Sequence, residues 1–114
     1  MTTNPTIQNV FQQFADVPVK ELFSGFRFQL IHTATNTYSF VSVDAGSTLP
    51  IHNHIHEQSS FVLEGKFEMT VGNETQVLEP GKFTLIPSNM PHGGTAITDC
   101  KLLDIFSPVR ADYK

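Results

Sequence analysis

The sequence predicts an all-β domain, a sandwich or barrel of short strands, and three observations carry that prediction. Apolar and polar residues alternate at period two through much of the chain, with Phe26, Phe28 and Leu30 set against Arg27 and Gln29 as the first clear case. Turn chemistry recurs at short intervals, at Gly65, Gly72-Asn73 and Pro80-Gly81. No stretch sustains a helical period beyond about three turns.

In order, residues 1–24 read as an amino-terminal arm, with Val10, Phe11 and Phe14 at helix-like spacing and Pro18 interrupting any longer helix. One short helical turn or an extended segment packed on a neighbour is expected there. The barrel is expected over residues 25–110. "TATNT" separates the strand beginning at Phe26 from the next, Tyr38 to Val43. Glu64-Gly65-Lys66, between two strand-like runs, reads as a hairpin turn. Phe67, Met69 and Val71 continue the alternation, and Gly72-Asn73 turns into a short strand from Thr75 to Leu78. Pro80-Gly81 has type II turn chemistry, proline fixing φ and glycine supplying a positive one. "KFTLIP" is a strand closed by Pro87, "SNMPHGG" a loop ending in His92, and "DCKLLDIFS" the last strand.

Composition narrows the function classes. The 114 residues make a single domain with one core. Seven Lys and Arg, scattered, against eleven Asp and Glu give a net charge of −4, which argues against nucleic acid as a partner. No window approaches the roughly 18 apolar residues of a membrane span. The single Cys100 forms no internal disulfide. No signal-peptide pattern opens the sequence, so a cytoplasmic protein is expected.

The chemistry concentrates between Gly46 and Gly65. His52 and His54, one residue apart on an extended strand, project from the same face and make half of a metal site. A third imidazole must come from His32, His56 or His92. Shifting the ligand pair to His54 and His56 would put Ser60, a poor ligand, where Gln58 stands, so the first register is preferred. His56 is then expected at the cavity rim and His32 as an ordinary strand histidine.

Gly46, five residues, His52-x-His54, three residues, Gln58, six residues and Gly65 resemble the first motif of the cupin family, with Gln58 in place of the usual glutamate. Gly81, five residues, Pro87-x-Asn89, two residues and His92 resemble the second, departing from it at Asn89, where glycine is usual, and at Ala96, where asparagine is usual. The resemblance implies a single-domain double-stranded β-helix, or jelly-roll barrel, with a metal held by His52, His54, Gln58 and His92. Three imidazoles and one oxygen suit one divalent transition ion, nickel, zinc, manganese or iron. The neutral amide of Gln58 leaves the ion its full charge, favouring Lewis-acid over oxygen-activating chemistry.

In the last strand, period two puts Cys100, Leu102, Asp104 and Phe106 on one face and Lys101, Leu103, Ile105 and Ser107 on the other. If the first face is interior, Asp104 lies by the metal cavity as a general acid or base. Otherwise Asp104 is solvated. Arg110, after Pro108, either reaches back over the cavity mouth to grip a carboxylate or is a solvated arginine.

Asp104-x-Phe106-x-x-x-Arg110, together with the histidines and Gln58, resembles the pectin- and alginate-degradation cupins of the KdgF type. That likeness implies catalytic or substrate roles for Asp104, Phe106 and Arg110. It also implies linearisation of 4,5-unsaturated uronates to 5-keto acids, a small anionic sugar-acid substrate and a homodimer formed through the amino-terminal arm. The alternatives are an iron-dependent cupin dioxygenase and a non-catalytic module binding a sugar or small acid.

Overall fold

The computed structural model describes residues 9–114. A 3-10 turn, Phe14–Asp16, precedes ten strands: β1 Val19–Phe23, β2 Phe26–His32, β3 Thr37–Val43, β4 Thr48–His52, β5 Glu57–Glu64, β6 Phe67–Val71, β7 Glu74–Leu78, β8 Phe83–Ile86, β9 His92–Ala96 and β10 Cys100–Ser107. A second 3-10 turn, Ala111–Tyr113, follows them. Six strands form one antiparallel sheet in the order β1-β2-β3-β10-β5-β8, and four form the other in the order β4-β9-β6-β7. The two sheets are those of a jelly roll, with period-two alternation pointing every second side chain between them.

Register explains why the core and the polar residues separate along the larger sheet. Phe26, Val43 and Cys100 lie abreast, and Phe28, Val41, Leu102 and Val62 form the next row. These two rows belong to the buried apolar core, closed from the other sheet by Phe67, Met69, Leu78 and Ala96. Two residues further along each strand the row is Leu30, Ser39, Asp104, Ser60 and Thr84, and beyond it His32, Thr37, Phe106, Gln58 and Ile86. The same inward face thus changes from hydrocarbon to hydroxyl, carboxyl and amide in one step. One end of the barrel is core and the other is chemistry.

Several sequence expectations change in the structure. The Glu64-Gly65-Lys66 turn closes no hairpin, because β5 and β6 belong to different sheets and Gly65, at φ 87°, carries the chain across the sandwich. The hairpin lies one turn later, where β6 and β7 pair from Phe67↔Leu78 to Val71↔Glu74 around Gly72, whose φ is 61°. Pro80-Gly81 forms the expected turn, with Lys82 N donating to Glu79 O at 2.9 Å and Gly81 at φ 97°.

The segment read as an arm holds both the short turn and a strand. β1 pairs with β2 at the edge of the larger sheet, every one of its residues exposed. Phe14 packs edge-on against Phe40 at 4.9 Å, and Gln29 Nε2 donates to Val17 O at 3.1 Å, fastening this segment to the sheet's outer face. The part of the arm within residues 1–8 lies outside the described residues.

β9 begins where the sequence suggests a loop ending in His92, and it contains Gly93 and Gly94, residues that usually weaken strands. Here close backbone approach demands them. A Cβ on Gly94 would collide with the Phe67 ring, and one on Gly93 would stand 2.7 Å from Leu49 O.

Candidate metal centre

The arrangement at the polar end starts from a bulge in β4. Leu49 pairs with Gly94, but the next paired residues are His52 and His92, so β4 spends three residues where β9 spends two. Pro50, which has no N–H to contribute to a ladder, sits within this bulge. The extra residue shifts the alternation by one: Ile51 is exposed and His52 turns inward. A side chain at Gly93 would meet Leu49 O, Ile51 N and the Pro50 carbonyl carbon at 2.7–3.0 Å, so Gly93 is the space the bulge occupies. β4 ends at His52, and His54 lies in the following loop rather than on the strand. There Asn89 N donates to His54 O at 2.7 Å, and Asn89 is the only described non-glycine residue with a positive φ, 64°. Asparagine adopts that conformation more readily than other side chains do, which accounts for its standing where a glycine is usual.

All three histidines have their tautomers set by backbone. Nδ1 of His52 lies 2.8 Å from Pro50 O, Nδ1 of His54 3.0 Å from His56 O, and Nδ1 of His92 2.8 Å from Met90 O. A carbonyl oxygen only accepts, so each Nδ1 carries the proton and each Nε2 of the neutral ring presents a lone pair. Burial drives His92 down to about 4, and His52, His54 and Arg110 lower it further against the opposing pull of the Met90 carbonyl. His54 is lowered as well, first by burial and then by Arg110. Both rings are therefore neutral at ordinary pH. The ligating atoms of His52, His54 and His92 all lie within 4.8 Å of one another.

Gln58 places an oxygen beside two of these rings. Its Nε2 donates to Ser60 Oγ at 2.9 Å, which leaves Oε1 3.1 Å from Nε2 of both His54 and His92. With Nδ1 protonated on each ring, that oxygen faces two nitrogen lone pairs, and a shared cation relieves the conflict. Two donors each about 2.1 Å from one ion lie about 3.0 to 3.4 Å apart, so the 3.1 Å spacings fit adjacent ligands of such an ion. The residues present could hold one divalent ion.

Asp104 resolves toward the interior alternative. Its face of β10 is buried, with Cys100, Leu102 and Phe106 beside it, and its Oδ1 has no hydrogen-bond partner. Burial pushes the carboxyl up to about 6, while the Ser60 hydroxyl, the Gln58 amide and Arg110 pull it back. Ser39, abreast of Asp104 on β3, is fully buried and its hydroxyl is also unpartnered. Phe106 sets its ring 5.7 Å from that of His54.

Arg110 is also interior, held over the cavity and not solvated. Its backbone N donates to Thr37 Oγ1 at 2.9 Å, and Thr37 Oγ1 in turn lies 2.8 Å from His32 Nδ1. The guanidinium is stacked between Phe106, 4.7 Å from the ring centre, and Tyr113, 3.9 Å away. Its fork is filled by Asp112, with Nε to Oδ1 at 3.0 Å and Nη2 to Oδ2 at 2.8 Å.

His52, Gln58, His92, Asp104, Phe106 and Arg110 all line one cavity, and His54 closes on it through His92 and Phe106. His56 does not join the cluster; its carbonyl orients His54, and its own buried Nδ1 has no partner. His32 is a strand residue whose Nδ1 lies 2.8 Å from Thr37 Oγ1. Ser39, Ser60, Thr37, Asp112 and Tyr113 were not singled out from the sequence. For Ser39 and Thr37 the signal was available: two hydroxyl residues share the apolar face of β3 with Val41 and Val43.

Two facing antiparallel sheets with a histidine cluster between their polar ends define a class, and residues 39–106 match the cupin domain family, to which the chain belongs. Within it, the chain is 31% identical over 102 residues to the pectin degradation protein KdgF of Dickeya dadantii, covering 86% of this chain and 92% of that one. The fold is similar to KdgF from Halomonas sp., with TM-score 0.87 and 27% identity over 94% of this chain and all of the other, 100%. An RmlC-like cupin from Shewanella frigidimarina is similar too, with TM-score 0.88 and 27% identity over 94% and 97% of the two chains.

Proposed function

We propose that the protein converts cyclic 4,5-unsaturated uronates, the sugars that lyases leave from pectin or alginate, to linear 5-keto-4-deoxyuronates. The observation that carries this reading is Asp104: a buried carboxyl with a free oxygen, raised to about 6, in the same cavity as the imidazoles of His52 and His92 and an arginine. The likeness to pectin degradation protein KdgF supports the substrate class.

A divalent transition ion held by His52, His54, His92 and Gln58 would supply Lewis-acid stabilisation of negative charge on a substrate oxygen. The chain's own groups do the rest. Ring opening removes the proton of the C1 hydroxyl and breaks the bond from C1 to the ring oxygen. C1 becomes an aldehyde and C5 an enolate, and a proton added at C4 converts the enolate to the ketone. Asp104 accepts the first proton and returns it at C4, a role matched to a carboxyl poised near neutrality. Arg110 supplies the cation for the substrate carboxylate. Phe106 walls the sugar and shields the reacting atoms from water. The reading includes a homodimer, a second copy covering the outer face of the larger sheet, where Phe83 and Leu85 are exposed on edge strand β8.

The test is the ultraviolet absorbance of the conjugated C4–C5 double bond, followed after purified protein is added to an unsaturated uronate. Enzyme-dependent decay above the spontaneous rate is expected. Unaccelerated decay by protein shown to carry metal overturns the reading.

A further inference from the structure

The cavity that joins the histidine cluster, Asp104 and Arg110 has a volume of about 40 Å³, room for a few water molecules. Small-molecule sites are typically several-fold larger, about 300 Å³ or more. A sugar acid does not enter until something lining the cavity moves. The strands cannot readily give way, since each is paired to its neighbours. Only two lining residues lie outside strands, Arg110 and Tyr113.

The two differ in how they are held. Arg110 is tied to the barrel through its backbone N on Thr37. Beyond it, the backbone bonds of the Ala111–Tyr113 turn are all internal, from Ala111 to Val109, Tyr113 to Arg110 and Lys114 to Ala111. Among the described residues, only side chains hold this turn down. The Tyr113 ring rests on Arg110, on Phe28 at 5.9 Å and on Phe106 at 6.1 Å. The Asp112 carboxylate occupies the Arg110 fork, its side chain 57% exposed against 8% for Arg110. An ion pair open to water on one side is weakly held.

We propose that Asp112 is a built-in stand-in for the ligand's carboxylate, and that the Ala111–Tyr113 turn is a cap which an incoming carboxylate displaces by taking Asp112's place on Arg110. The pairing geometry is the argument. Asp112 presents to the guanidinium the same planar pair of oxygens that a uronate would, at 2.8 and 3.0 Å. Exchange of one carboxylate for the other keeps the buried guanidinium paired throughout. Release of Asp112 frees the one side-chain ion pair that holds the turn, and withdrawal of the Tyr113 ring opens the cavity beside Asp104. A neutral sugar has no means of making this exchange, so the cap also selects for acids. The proposal rests on the uronate reading of the same cavity for its ligand class.

The chain offers a direct reporter, since it has no tryptophan and only two tyrosines, Tyr38 and Tyr113. In a Tyr38→Phe background the tyrosine emission is that of Tyr113 alone. D-galacturonate is expected to increase acrylamide quenching of that emission, and D-galactose, lacking the carboxylate, to leave it unchanged. Asp112→Asn in the same background is expected to raise quenching without ligand and to tighten galacturonate binding about threefold, the advantage of removing a competitor held by an exposed pair. Unchanged quenching when calorimetry shows the site filled overturns the proposal. So does an Asp112→Asn variant that binds galacturonate no better than its parent, including one in which neither binds. If these shifts occur but no unsaturated uronate is opened, the cap stands and the ring-opening reading falls; turnover with Tyr113 unmoved has the reverse meaning.

Discussion

The amide of Gln58 is oriented by Ser60. Its nitrogen donates to the serine hydroxyl at 2.9 Å, which leaves the oxygen facing His54 and His92. Groups that orient a ligand in this way typically govern affinity by ten- to a hundredfold. Ser60→Ala should therefore weaken metal binding about tenfold with every ligand still in place. Competition against a chelator of known affinity measures it, and equal affinity in both proteins would contradict the assigned orientation.

His92 is the most deeply placed of the three imidazoles. His92→Ala should abolish stoichiometric metal in the purified protein, read by elemental analysis. A metal that binds only the folded chain also stabilises it by mass action. Chelation should lower the melting temperature of the wild type and leave that of His92→Ala unmoved.

Asp104 gives a pH dependence with a definite sign. Its carboxyl is raised from 3.8 to about 6 by burial, so the folded chain holds this proton more tightly than the unfolded chain. Stability from this group is fully present below about pH 4 and is lost as pH rises to about 6, a difference on the order of 3 kcal/mol. Asp104→Asn should remove that dependence, and it should abolish ring opening as well. Denaturant titrations of chelator-treated wild type and variant, from pH 4 to 8, would show the two stability curves diverging as pH rises. Parallel curves would refute the assignment.

Gly93 leaves space for the β4 bulge. Gly93→Ala forces a methyl against the Leu49 carbonyl and the Ile51 nitrogen, and should cost about 1 to 3 kcal/mol of stability. Metal binding should weaken with it, because the displaced backbone carries His52. Denaturation and chelator competition on the same preparation test both effects.

The assembly is checked by sedimentation. A homodimer is expected for the wild type, and Leu85→Lys, on the exposed face of β8, should shift it toward monomer with the melting curve otherwise preserved.

Much of this architecture was legible because strand alternation and turn chemistry are local. Phe26 and Phe28, Pro80-Gly81 and the division of β10 into two faces follow from spacing within a few residues. The cluster of His52, His54 and His92 was legible through two motifs at fixed spacing, although sequence could not show that His54 lies just past its strand. Gly65 misled because a glycine turn between two strands looks the same whether the strands pair or cross to opposite sheets. Gly93 and Gly94 misled because their smallness answers to Leu49 and Phe67, remote in sequence. The interior placement of Asp104 depended on which face of β10 meets the core, a matter of packing. Asp112 and Tyr113 gave no signal at all, since their meaning comes from Arg110 being stacked and paired where it is.

The bulge at Pro50 and Ile51 gives β4 two alternation phases on one strand. Leu49 answers to the hydrophobic interior in one phase and His52 to the cavity in the other, with the extra residue as the offset between them. The two halves are separately variable as a result: the interior can be repacked around Leu49 without turning the histidines outward. The feature that makes this possible is a matter of length, invisible to any comparison that scores residue types position by position.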